Sequence, residues 1–225
     1  MAGVALGFLV FKPQFLVAIP VVLLLAHAWK AFAGLVIAAG AQLAFTRMYF
    51  GPAVMRAYFD TLWHVSRWIG SSELRLAPIQ MHSLRPFWSL LIPWTQVALT
   101  LYVLSSVAAI ALAAATWKSS APLALRFSAL TLAAVLVNPH LFVYDLLVLA
   151  PALLLLVDWT LINSPHPASA ALRLLAYLAF ILPLFGPLSQ WTHVQLSVPV
   201  FALLLWVLWG NSKTHKLASN ESAVV

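Results

Sequence analysis

From Thr95 to Ile162 the only charged side chains are Lys118, Arg126, Asp145 and Asp158, and between them run segments such as "LRFSALTLAAVLV" and "LLVLAPALLLLV". About 20 consecutive apolar residues cross the ~30 Å hydrocarbon core of a bilayer as an α-helix. The runs are continuous and rich in Leu and Ala, which excludes the alternating strands of a membrane barrel. Only 8% of the chain is charged, against roughly 25% in a soluble domain. That leaves too few polar residues to cover a water-facing surface. The sequence therefore predicts an all-α, polytopic transmembrane helix bundle with about seven spanning helices.

The expected spans are Pro13–Ala28, Ala31–Phe50, Thr95–Trp117, Pro122–Val137, Asp145–Ile162, Ala171–Leu188 and Val194–Gly210. Residues 1–210 form the transmembrane domain, with 51–94 as an outward-facing loop and 211–225 as a disordered, polar cytoplasmic tail. The opening "MAGVALGFLVF" is apolar but too short to cross alone. Ala26-His27-Ala28 has the form of a signal-peptide cleavage site. Apolar residues fill the whole stretch before Lys12, however, where a signal has a short positive n-region. Within the loop, Met55 to Ile69 sets Tyr58, Phe59, Leu62, Trp63, Val65, Trp68 and Ile69 mostly at helical spacing, with Arg56, Asp60, His64 and Arg67 on other faces. That is the pattern of an amphipathic helix lying in the membrane interface.

Charge then separates the two ends of the bundle. The formal charge is +7, from 12 Lys and Arg against five acids. In a membrane protein that favours anionic head groups or lipid phosphates. There is no basic stripe of the kind nucleic acid requires, and no Cys for a disulfide or thiolate chemistry. If Lys30 marks one end, Lys118, Arg126, Arg173, Lys213 and Lys216 fall with it, in short hairpins and the tail. Cations in such places mark the cytoplasmic side. Lys12, Arg47, Arg56, Arg67, Arg75 and Arg85 fall at the other end, with His64, His82, His140, His193, Asp60, Glu73 and Asp145. Helix centres carry almost no ionisable group, whereas a proton-coupled carrier buries acids at the midplane. Chemistry at the membrane surface fits this pattern better than a transporter or flippase component, or a non-catalytic scaffold. No two His have metal-ligand spacing, so neither a metal site nor a cofactor is expected.

Three short stretches concentrate the polar chemistry: "KPQ" at Lys12–Gln14, "MHSLRPFW" at Met81–Trp88 and "NPHLFVYD" at Asn138–Asp145. Arg binds phosphate through its planar fork, which makes Arg67, Arg75 and Arg85, with Lys12, candidate phosphate ligands. Head-group contacts, or for Lys12 a snorkelling anchor, are the plainer alternatives. Asp145 is either a helix cap or first-turn acid or part of a polar cavity. His140 is either a turn residue or a partner for phosphate or proton. Asp60 and Glu73 are weak candidates for a catalytic base. Trp63, Trp68, Trp88 and Trp94 read as an interface belt.

The stretch "GFLVFKPQFLVAIPVVLLLAHAWKAFAG" resembles the Lys-Pro-Gln signature region of glycosyltransferase family 87. "MHSLRPFW" is similar to a second signature, with Met81 and His82 in place of an Asn-Gln pair, and "NPHLFVYDLLVLAPALLLL" to a third. They occur in the family's order. The resemblance implies a GT-C-type enzyme of the bacterial-type plasma membrane. It would move a mannosyl-type hexosyl residue from a polyprenyl-phosphate sugar to a lipid or glycan acceptor. It further implies that Lys12, Gln14, Arg67, Arg75, Ser83, Arg85, Asn138, His140, Tyr144 and Asp145 contact substrate. In the family the catalytic carboxylate lies in a loop before the Lys-Pro-Gln segment. The resemblance therefore covers a C-terminal half, to which a missing N-terminal half would be a partner.

Overall fold

A computed structural model describes residues 2–68 and 80–221. Its helices are α1 (Ala2–Gly7), α2 (Ala18–Leu25), α3 (Trp29–Trp68), α4 (Leu84–Leu91), α5 (Thr95–Lys118), α6 (Leu123–Val137), α7 (Ala150–Ile162), α8 (Ser169–Ile181), α9 (Ser189–Thr192) and α10 (Ser197–Glu221). Tight 3₁₀ turns at Phe8–Phe11, Pro13–Leu16, Val143–Leu149 and Leu182–Leu188 join several of them. The chain is a helical membrane bundle.

Its centre is α6. Leu125 and every residue from Ser128 to Val137 are buried, because α2, α5, α7 and α10 all pack around this helix. A helix so enclosed does not touch lipid. It need not match the bilayer, and its 15 residues reach only about 22 Å. Among the described residues four segments are long and apolar enough to cross: Trp29–Trp63, Thr95–Lys118, Val143–Ile162 and Ser169–Thr192. Pro13–Leu25 and Leu123–Val137 are shorter apolar helices.

Other boundaries also move for local reasons. The expected helix from Pro13 opens with a 3₁₀ turn and ends at Leu25, before His27 at φ 55°. The expected helix from Asp145 begins at Val143 with 3₁₀ geometry and becomes α-helical at Ala150, where Pro151 fits the first turn. Pro183 and Pro187 turn the end of the Ala171–Leu188 span into a 3₁₀ segment. The last helix starts at Ser197 and runs through Gly210 to Glu221, where a disordered tail is expected. Asn211 and Ser212 are buried against the bundle, which carries the helix past that point.

The 51–94 stretch, expected to carry a helix at Met55–Ile69, is helical from Gly51 to Trp68. Gly51 itself sits at φ 83°, ψ 169°, followed by Pro52, and divides α3 into two limbs. Only glycine takes that conformation without strain. Glycines also place the first limb. Gly3 and Gly7 lie so close to α3 that an added Cβ would stand 2.0 Å from the Ala31 carbonyl oxygen and 2.6 Å from Ala38 Cβ. This is the small-residue packing that lets membrane helices touch backbone to backbone. Further on, the Tyr58 hydroxyl donates to the Val10 carbonyl at 3.3 Å. Val10 is at most ~11 Å of chain beyond Gly7, whereas Tyr58 would be ~30 Å beyond Ala38 along a straight helix. The second limb therefore folds back at Gly51 toward α1. The amphipathic helix expected at Met55–Ile69 falls in this second limb, where Phe59 and Trp63 are exposed.

Candidate active site

The three signature stretches meet at one end of the bundle. The Lys12 ammonium donates to Asp145 Oδ1, joining residues 133 positions apart. Asp145 Oδ2 accepts the Phe142 backbone N–H at 3.3 Å. Asp145 thus closes the first turn of the Val143–Leu149 segment, as a cap would, and also holds a cation, which the sequence did not suggest. Its side chain is 2% exposed and that of Lys12 30%. Lys12 also lies 4.8 Å from the centre of the exposed Tyr144 ring, which stacks on Phe142.

The second stretch docks on the third through its backbone. Met81 and Phe142 form an antiparallel bridge, and His82 N–H donates to the Leu141 carbonyl at 2.9 Å. That register places Ser83 opposite His140. Asn138 Oδ1 accepts the His140 backbone N–H at 2.9 Å, so the Asn138 amide nitrogen is turned elsewhere. Ser83 and Asn138 are fully buried, yet Ser83 Oγ, Asn138 Nδ2 and His140 Nε2 have no hydrogen-bond partner. Buried polar atoms in native proteins are nearly always paired. Arg85 opens α4 beside them, close enough to His140 for its charge to act on the imidazole. Burial, and then Arg85, lowers the proton affinity of His140, which keeps the ring neutral at pH 7. Burial likewise lowers that of Arg85. Two further bonds pin the surroundings. Tyr102 donates to the Val137 carbonyl at 2.7 Å, and Trp88 Nε1 to Ser105 Oγ at 3.0 Å.

Gln14 is half-buried on the 3₁₀ turn after Lys12. Asp60 lies on the exposed face of the second limb of α3. Arg67 lies on α3 where only the backbone is described, and Glu73 and Arg75 lie outside the described residues. His193 is exposed and left-handed, ending α9 through its N–H to the Ser189 carbonyl. Sequence reasoning missed Ser197, whose hydroxyl lies 2.8 Å from His82 Nδ1, and Gln195, whose amide donates to Ser189 Oγ at 3.2 Å. Both are buried. A Gln and a Ser just before an apolar helix look like ordinary capping residues, so nothing in the sequence singled them out.

The contacts fix the path of the chain. Lys12 and Met81 both touch the 141–145 segment, so the chain between them leaves this end of the bundle and returns. So does the chain between Arg85 and Asn138, through α5 and α6. The His82–Ser197 contact requires the same of α7 and α8.

His82 gives a pH prediction. Burial holds its imidazole down to about 4, from 6.5 in an open chain. As pH falls below 6.5 the unfolded chain takes up this proton and the folded one does not, so stability drains away toward pH 4. The full window corresponds to about 3 kcal/mol. His82→Gln, which keeps a hydrogen-bonding group near Ser197, should flatten the acid side of the melting-temperature profile in that window. An unchanged profile would place the acid sensitivity elsewhere.

The comparisons agree with the geometry. The model of glycosyltransferase family 87 matches residues 1–142, which include Lys12, Ser83, Arg85, Asn138 and His140. No curated protein and no solved structure matches the chain. This multi-pass membrane protein, with its three signature stretches gathered at one end, belongs to glycosyltransferase family 87.

Proposed function

We infer that the chain serves the transfer of a mannosyl-type hexosyl residue from a polyprenyl-phosphate sugar to a lipid or glycan acceptor. The enzyme is of the GT-C type, in the cell membrane, with the polar end of the bundle facing outward. In this transfer the bond between the sugar's anomeric carbon and the phosphate oxygen breaks. A bond to the acceptor oxygen forms, and the acceptor's proton passes to a base. Negative charge gathers on the departing phosphate. Cations fixed at that point lower the barrier, and each is worth about a hundredfold or more in rate. Lys12 and Arg85 are the cations we assign to this task. The observation that carries the reading is the convergence of Lys12, Arg85 and the 138–145 turn at one end of an apolar bundle. There a polyprenyl chain would lie in the bilayer and its phosphate at the surface. Asp145 holds Lys12 in place when the phosphate is absent, and Tyr144 and Phe142 form an aromatic face beside it.

The test uses membranes of the native host, in which any N-terminal partner is also present, with and without the chain, supplied with radiolabelled polyprenyl-phosphate mannose. Release of polyprenyl phosphate should depend on the chain and fall about a hundredfold or more in Arg85→Ala. Equal release from membranes with and without the chain would overturn the proposal.

A further inference from the structure

The unpaired atoms beside Arg85 suit a different part of the substrate from the phosphate. Ser83 Oγ, Asn138 Nδ2 and His140 Nε2 are buried, adjacent through the 81–83/140–142 register, and unpartnered. Three buried polar atoms without a protein partner cost folding stability unless something binds them. Their chemistry is mixed. The Asn138 amide nitrogen only donates, because its Oδ1 is already held by the His140 N–H. The Ser83 hydroxyl donates or accepts. A neutral imidazole has one nitrogen that donates and one that accepts. A phosphate takes donors alone, whereas a sugar hydroxyl both gives and takes a hydrogen bond. The three atoms also carry no formal charge; the cations are Lys12, paired with Asp145, and Arg85, whose charge reaches His140.

The geometry points to Ser83, Asn138 and His140 as a subsite that reads the hydroxyls of the transferred sugar, separate from the Lys12 and Arg85 phosphate contacts. This rests on the donor class proposed above. It divides the site in two: cations fix the lipid phosphate, and a neutral triad recognises the hexose. These residues set specificity and position the sugar; they do not take part in bond breaking.

The experiment measures binding to the full chain in nanodiscs by tryptophan fluorescence, with two probes: undecaprenyl phosphate and undecaprenyl-phosphate mannose. In the wild type the sugar should tighten binding by about tenfold. Ser83→Ala and Asn138→Ala should each remove most of that increment and leave the Kd for undecaprenyl phosphate within about twofold. Stability supplies a second readout. Ser83→Ala deletes an unsatisfied group, so the empty protein should melt no lower than wild type. Asn138→Ala also loses the bond to the His140 N–H, so its ratio of affinities is the quantity to read. The subsite is overturned if the wild type binds both probes equally, or if the variants weaken both by the same factor. In either case the donor proposal survives. If the wild type binds neither probe, both proposals fall together.

Discussion

Lys12→Met lowers transfer by about a hundredfold or more and also lowers the melting temperature. The two effects have separate causes. Lys12 is the cation nearest Asp145, and Asp145 is almost wholly buried. Removing one partner of a buried ion pair strands the other charge, at a cost of about 3–5 kcal/mol. Replacing both partners with apolar groups of similar size leaves no stranded charge and is often neutral. Lys12→Met combined with Asp145→Leu should therefore recover most of the lost stability while leaving transfer as low as in Lys12→Met alone. Melting curves and rates of polyprenyl phosphate release on the four proteins check this. Recovery of both properties in the double variant would reduce Lys12 to a structural strut. Recovery of neither would mean that the pair organises the fold beyond its own charges.

Gly7→Val should destabilise the protein by about 3 kcal/mol, at the upper end of overpacking effects. A Cβ at Gly7 would stand 2.6 Å from both Ala38 Cβ and the Leu35 carbonyl oxygen. One of those atoms is backbone, so the neighbour cannot yield by changing rotamer. The two helices must separate, and α1 leads through Phe8–Phe11 directly into Lys12. Activity should fall with stability even though Gly7 packs against α3 and not against the polar cluster. Gly40 is the control, because a Cβ there meets nothing within 4 Å. Gly40→Ala should be neutral or stabilising by up to about 1 kcal/mol, since it lies within a helix. Thermal melts of the two variants decide the matter, and equal melting temperatures would show that α1 does not depend on contact with α3.

The membrane bundle was legible because apolar runs are long-range averages that local detail hardly disturbs. What the sequence could not supply was register. Lys12 and Asp145 each had a sound local explanation, one as an anchor and the other as a cap. Only the folded chain shows that the cap also holds the anchor. The substitution of Met81 and His82 for an Asn-Gln pair looked like a weakened signature. In the structure these two residues make the backbone contact that seats Ser83 beside His140. That contact uses main-chain atoms, to which side-chain patterns are blind. The expected span ends before Gly51, where its apolar run gives way to a mixed stretch. The chain resumes as helix beyond it, because Pro52 suits the first turn of a new helix as well as it ends an old one. Hydropathy does not separate a helix wrapped by protein, as most of α6 is, from one bathed in lipid.

The paired departures and returns of the chain have a consequence for how the protein can be assembled. Every functional contact forms at one end, so the turns at the other end serve only as covalent tethers. The turn between α7 and α8 at Asn163–Ala168 exposes Ser164, Pro165 and Pro167 and lies far along the chain from the polar cluster. A polypeptide ending at Ser164 would carry Lys12, Ser83, Arg85, Asn138, His140 and Asp145, and a second beginning at Pro165 would bring Ser197 to His82. Made separately in one membrane, the two pieces would find each other through the apolar faces that α8 and α10 already turn toward α6 and α7. Such a protein is a set of hairpins sharing one polar rim, and its genetic continuity is a convenience of synthesis more than a condition of its site.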